Sequence, residues 1–271
     1  MKETLYEDGV EVGNTIEELH PNGKPYRETI HINENEKKHI TYYENGTKQS
    51  ETHLIGYTRI SREKWFDNGE KRLEEYWDNE GKPIGDWYVW FENGELLQEQ
   101  HYTDGIPDGD WYEDTLDGNT YEQHYSDGKK NGRFTYVIKS EKDYGTKMEK
   151  NYRNDKLHGY YKKEEIFGDV TEGNYKNGRK EGEWNKFHRT KPVEEETYKD
   201  GKLDGLSKYY SIEDGKLFLE KPYKDGKLNG VYRRYDKEGN VEDETYYLND
   251  KETKKPKKGV VSFKGVEYKI G

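Results

Sequence analysis

The chain lacks cysteine and, on reading its 271 residues through, alanine as well. Without cysteine there is no disulfide, no thiolate nucleophile and no sulfur ligand for a zinc site. Without alanine the strongest helix former is gone, which argues against helix. Hydrophobic residues are scarce, at 29%. No apolar run approaches the roughly 18 residues that a membrane-spanning helix needs. Met1-Lys2-Glu3 leads straight into the body of the sequence without a signal-peptide core, so a cytoplasmic protein is the simplest expectation; a removed signal or lipoprotein leader would leave the same residues.

The chain is rich in glycine (29), tyrosine (26) and charge (38%). So polar a composition points to disorder in a chain without repeats, but here turns and aromatics recur at a fixed period. The phrase Tyr-x-Asp/Asn-Gly-Lys-x-x-Gly-x-aromatic starts at Tyr102, Tyr125, Tyr175, Tyr198 and Tyr223, with a fainter copy at Tyr152 where Asp155 stands for the first glycine. Its second glycines are Gly85, Gly109, Gly132, Gly159, Gly182, Gly205 and Gly230, in steps of 24, 23, 27, 23, 23 and 25 residues.

Half a period away lie Asn22-Gly23, Asn45-Gly46, Asn68-Gly69, Asn93-Gly94, Asp117-Gly118, Asp214-Gly215 and Glu238-Gly239. Asn-Gly and Asp-Gly supply the positive φ of hairpin turns, so two turn series per period mean two short strands per repeat. Stepping back from Gly81 by 24 predicts earlier turns at Gly56, Asn33 to Asn35 and Gly9. The expected fold is therefore all-β: an elongated, single antiparallel sheet of about ten tandem hairpins of 23 to 24 residues, on the order of 95 Å long at about 4.8 Å per strand. The array should run over residues 1–250, with 1–62 degenerate as terminal repeats often are. Residues 251–271 should form a lysine-rich loop and a closing hairpin. Exposed strand edges at the ends make end-to-end self-association a physical option.

Two residues past each second glycine stand Trp87, Trp111, Phe134, Tyr161, Trp184, Ser207 and Tyr232. Six aromatics in seven mark this column as the core ladder, with the preceding glycine leaving room for a neighbouring ring. The opposite turns change at 139–147, 166–171 and 187–193, and insertions in repeat arrays gather on one face that often binds.

Charge is uneven. From Glu63 to His124 there are 18 Asp and Glu against 4 Lys and Arg, a net of −14, which leaves +3 for the rest of a chain of net −11. Five of the six tryptophans lie in this window. Acidic charge steers a basic partner and large aromatics hold it. Trp65, Trp77 and Trp90, off the core column and expected to be exposed, together with Asp104, Asp108, Asp110 and Asp114, are the candidate partner-binding residues.

No enzyme is expected. The glycines are spaced for hairpins, not for a phosphate loop; the eight histidines show no ligand spacing; the serines sit in no nucleophile elbow. No cofactor or metal is implied. A pI near 5.4 argues against nucleic acid. The lysines at 251, 254, 255, 257 and 258 could meet anionic lipid, although the net negative charge opposes it.

The phrase from Tyr198 to Ser207 and from Tyr223 to Tyr232 resembles the MORN repeat, and the Asn-Gly turns make it similar to the bacterial MORN-repeat variant. The resemblance is clear over roughly residues 60 to 247. It implies a twisted sheet of hairpins. Bacterial members are often labelled antitoxins or immunity-type proteins, and eukaryotic ones act as scaffolds or at membranes. The functional expectation is a non-enzymatic protein-binding scaffold of the immunity or antitoxin kind holding a basic protein; the alternative is a membrane-associated or surface-exposed structural scaffold.

Overall fold

The structure, a computed structural model, describes residues 5–7, 10–115, 117–138, 145–254, 261–263 and 266–268. Among them every regular element is a strand, and the paired strands run antiparallel. Contacts divide the chain into two compact units, Met1–Lys139 with Tyr152–Asp155, and Ser140–Asn151 with Lys156–Gly271. In the first, Gly85–Trp90, Leu96–Thr103, Gly109–Asp114 and Thr120–Ser126 pair in succession. In the second, Asp169–Lys176, Arg179–His188, Lys191–Lys199, Gly205–Tyr210, Leu217–Lys224, Gly230–Tyr235 and Val241–Leu248 do the same.

The two glycine series build different turns. At Asp104-Gly105, Asp200-Gly201 and Asp225-Gly226 both central residues have positive φ, the signature of a two-residue type I′ turn whose twist suits a hairpin. At Asn22-Gly23 only the glycine does. There the Gly23 N–H donates to the His20 carbonyl (2.9 Å) and the His20 N–H to the Lys24 carbonyl (2.8 Å), a three-residue loop closed by a left-handed glycine. Asn22 accepts the Lys24 N–H on Oδ1 (3.0 Å) and donates from Nδ2 to the Glu44 carbonyl of the next such turn (2.8 Å); Asn45 repeats the pattern toward Asp67. An aspartate could make the first bond but not the second, which accounts for asparagine here.

Type I′ turns are also tied to one another. The Gly226 N–H donates to the Leu203 carbonyl at 2.7 Å, and the Gly105 N–H to that of Pro83 at 3.0 Å. Asp155, the departure from glycine, keeps positive φ (65°) and accepts the Lys130 N–H on its carboxylate at 2.8 Å, a bond glycine cannot offer. The turns expected near 57 and 33 are present, between Ile55 and Thr58 and between Asn33 and Glu36. The one at Gly9 lies outside the described residues, as does the lysine run from 255 to 258. Val261–Phe263 and Val266–Tyr268 pair antiparallel.

The hairpins at Asp104-Gly105 and Asp200-Gly201 carry a bulge that sequence alone does not reveal. Tyr198 faces Leu203 and Glu195 faces Lys208, so residues 196 and 197 oppose residues 204 to 207, four against two. The pairs Tyr102 with Pro107 and Glu99 with Tyr112 leave the same imbalance. Such bulges bend and twist a strand. The second glycine sits inside the bulge. What it makes room for varies along the chain: Gly205 has φ of 146°, and an added Cβ would come within 2.8 Å of the Thr197 Cβ, whereas at Gly109 it would meet the Cβ and ring of His101 at 3.2 to 3.7 Å.

The aromatic ladder is real, and its second half is the leading tyrosine of the phrase. Ring centroids run Trp77 to Trp87 at 5.0 Å, Trp87 to Tyr102 at 5.0 Å, Tyr102 to Trp111 at 5.3 Å and Trp111 to Tyr125 at 4.9 Å. In the second unit Trp184 lies against Tyr175 (5.0 Å), Tyr161 (5.5 Å) and Tyr198 (6.4 Å). Three ladder tryptophans satisfy their indole N–H on the carbonyl before their partner ring: Trp87 on Tyr76, Trp111 on His101, Trp184 on Asn174. The core is thin. Among the described residues only Ile40 and Trp184 are fully buried large hydrophobics, each 4% exposed.

One half-buried carboxylate gives the fold a pH signature. The Tyr198 hydroxyl donates to Glu196 at 2.6 Å, as Tyr102 and Tyr125 do to Gln100 and Gln123. Burial, then Glu194 beside it, pushes the Glu196 carboxyl above its usual value of 4.5. Between that value and the raised one, the folded state holds a proton that the unfolded state has lost, so stability falls as pH rises through this window. Glu196→Gln keeps an acceptor for Tyr198 and should remove that fall, read as a flatter profile of melting temperature from pH 4.5 upward.

Candidate functional site

Opposite the ladder, register aligns one row of residues across each unit. In the first it reads Glu51, Glu63, Glu74, Tyr88, Glu99, Tyr112, Glu122, Thr135. In the second it reads Lys162, Glu172, Asn185, Glu195, Lys208, Glu220, Arg233, Glu244. Directly opposed residues share a face, so from Glu74 onward in the first unit, and throughout the second, a glutamate stands at every other rung.

What differs is what lies between the glutamates. In the second unit Lys208 reaches Glu195 (3.4 Å), and Arg233 lies between Glu220 (3.6 Å) and Glu244 (3.1 Å). In the first, Lys38 and Lys48 neutralise Glu51, and Lys71 bridges Glu63 (2.8 Å) and Glu74 (3.0 Å). Past Glu74 the intervening rungs are Tyr88, Tyr112 and Thr135. Among the described residues Glu99 and Glu122 meet no lysine or arginine at ion-pair distance: Glu99 faces the His101 ring (3.3 Å), and Glu122 accepts the Thr135 hydroxyl (2.8 Å).

Here the surface forms an open groove, lined by Glu95, Glu99, Asp110, Asp114 and Glu122 around Tyr112, with His124 and Arg133 also lining it. Alternation along the strand puts Asp110 and Asp114 on the face of Tyr112, so carboxylates flank that ring on all four sides, two along the strand and two across. Burial, then Asp114, Glu122 and Glu95, raises the Tyr112 phenol above its usual value. Asp110 is paired with His124 at 2.6 Å. Asp114 Oδ1 is shielded from solvent and has no hydrogen-bond partner.

The structure separates the seven candidates named above. Asp110 and Asp114 enter the groove. Asp104 is the first central residue of a type I′ turn. Asp108 caps the next turn, accepting the Asp127 N–H (3.4 Å) and the Thr103 hydroxyl (3.3 Å). The three tryptophans, expected to be exposed, are half-buried. Trp77 belongs to the ladder after all, with the Arg59 and Arg62 guanidinium groups at 5.2 and 6.0 Å from its centroid. The Lys48 ammonium covers Trp65 at 5.0 Å, and Trp90 stacks on Tyr88 at 5.3 Å. A ring that already has a partner packs the sheet and is a poorer anchor than an uncovered one.

Sequence reasoning missed Tyr112, Glu99 and Glu122. The signal was present: three residues past each second glycine stand Tyr88, Tyr112, Thr135, Lys162, Asn185, Lys208 and Arg233, a column that turns from aromatic to largely basic along the chain. Among the described residues no group of three His, Asp or Glu could hold a metal ion, and no helix is long and apolar enough to cross a membrane. No protein-family model matches this chain, and no curated protein does.

Proposed function

We propose that the protein is a non-enzymatic binding scaffold, a MORN-like array of about ten β-hairpin repeats, whose acidic section from Glu63 to His124 holds a basic protein partner. The observation that carries this reading is the Tyr112 groove, where five carboxylates line one surface in a stretch of net charge −14. Like charges crowded this way repel one another and attract a partner of opposite sign, chiefly by speeding encounter. A role of the immunity or antitoxin kind, in which binding silences a basic partner, follows from the same surface and from the resemblance of the repeat phrase. Affinity capture with the tagged protein from its own cell extract, at low and at high salt, tests it. A basic protein retained at low salt and released at high salt is the expected result. Recovery of neutral or acidic proteins insensitive to salt would overturn the reading.

A further inference from the structure

We infer that the Tyr112 rung is an arginine slot, in which a guanidinium group from a partner polypeptide lies over the Tyr112 ring between Glu99 and Glu122. This rests on the basic-partner reading and narrows it to a side chain. The chain supplies the precedent itself. At the corresponding rung of the second unit, three residues past Gly230, Arg233 stands between Glu220 and Glu244, its guanidinium 3.6 Å from the first and 3.1 Å from the second. Tyr112, three residues past Gly109, has Glu99 and Glu122 in the same register, and among the described residues no lysine or arginine comes within ion-pair distance of either, although Arg133 lines the groove nearby.

Three further features of the slot suit a guanidinium. Among the described residues Glu122 receives the Thr135 hydroxyl alone, and Glu99 has tyrosine and histidine neighbours alone, so both retain acceptor capacity. Asp114 lies on the same face as the ring, and its Oδ1 lacks a donor. A tyrosine face takes a planar cation by stacking, and the flanking carboxylates take its forked N–H groups, a match that a lysine ammonium makes less well. Five carboxylates line the groove, one of them paired with His124, beside the single cation Arg133, and one guanidinium engages two or three. The occupant is therefore a segment carrying several cations, with arginine at the Tyr112 rung, and not the free amino acid.

Fluorescence anisotropy at low salt with labelled oligo-arginine and oligo-lysine peptides of equal length tests the inference, using the full chain and two variants. Tyr112→Arg places in this chain the cation that Arg233 supplies in the other unit. It should melt no lower than the parent, because it neutralises two carboxylates, and yet lose peptide binding by about tenfold or more. Tyr112→Phe keeps the ring face and should retain binding. The parent should bind oligo-arginine about tenfold tighter than oligo-lysine. Equal affinity for the two peptides, or undiminished binding by a folded Tyr112→Arg, overturns the arginine slot. Equal affinity that still falls when Glu99 and Glu122 become glutamine leaves the basic-partner reading standing. No binding of either peptide overturns the slot, and the fate of the broader reading then lies with the capture experiment.

Discussion

Gly173→Ala should cost this protein about 3 kcal/mol or more, because of the described glycines it has the closest contacts to an added Cβ. Gly173 lies opposite Tyr161, and a Cβ built on it would stand 2.3 to 2.6 Å from three ring carbons of Trp184. These are atoms of a rigid indole that is itself 4% exposed and held by its N–H on the Asn174 carbonyl at 3.0 Å. The ring cannot step aside without losing that bond and its packing on Tyr175 and Tyr161, so the strain exceeds the usual penalty of overpacking. Chemical denaturation would measure it. A loss below about 1 kcal/mol would show that the ring has somewhere else to go.

Trp184→Ala should cost a comparable amount, about 3–5 kcal/mol, by the opposite mechanism of an emptied site. Trp184 touches three tyrosine rings, and the Lys180 ammonium sits 4.1 Å from its centroid. Removing the indole strands that ammonium, which burial already holds below its usual pKa, beside Glu196. The two substitutions share one cause and should not add. In the Trp184→Ala background, Gly173→Ala should be close to neutral, because the methyl group then enters space the ring has left. Additive losses would mean that Gly173 is required for its backbone and not for the ring.

Much of this architecture was legible in the sequence because it depends on local chemistry. Asp-Gly and Asn-Gly fix where the chain reverses, and the fixed step between them announces a hairpin every 23 to 27 residues. The column from Trp87 to Tyr232 announced the ladder. The bulge beside Gly205 stayed hidden because it is a matter of pairing, four residues against two, that no single strand displays. Gly173 was equally silent, being a lone glycine outside both turn series.

The site was legible as a charge window and not as a place. Counting carboxylates from Glu63 to His124 marked the section that contains the groove, yet it treated Asp104, Asp108, Asp110 and Asp114 alike. Register divides them, since two shape or cap turns and two flank Tyr112. Tryptophan content misled in the same way. Trp65, Trp77 and Trp90 looked like anchors because they fell off the expected column, whereas cross-strand rings and cations already occupy them. Only strand pairing brings Glu99 and Glu122 to either side of Tyr112, across separations of 13 and 10 residues.

The most direct test is a side-by-side capture of partners by the parent protein and by a variant with Glu99, Asp110, Asp114 and Glu122 changed to their amides, after both are shown to melt alike. The account predicts that the basic protein retained by the parent is lost from the variant. Equal recovery by the two would place the contact elsewhere on the chain and contradict the central claim.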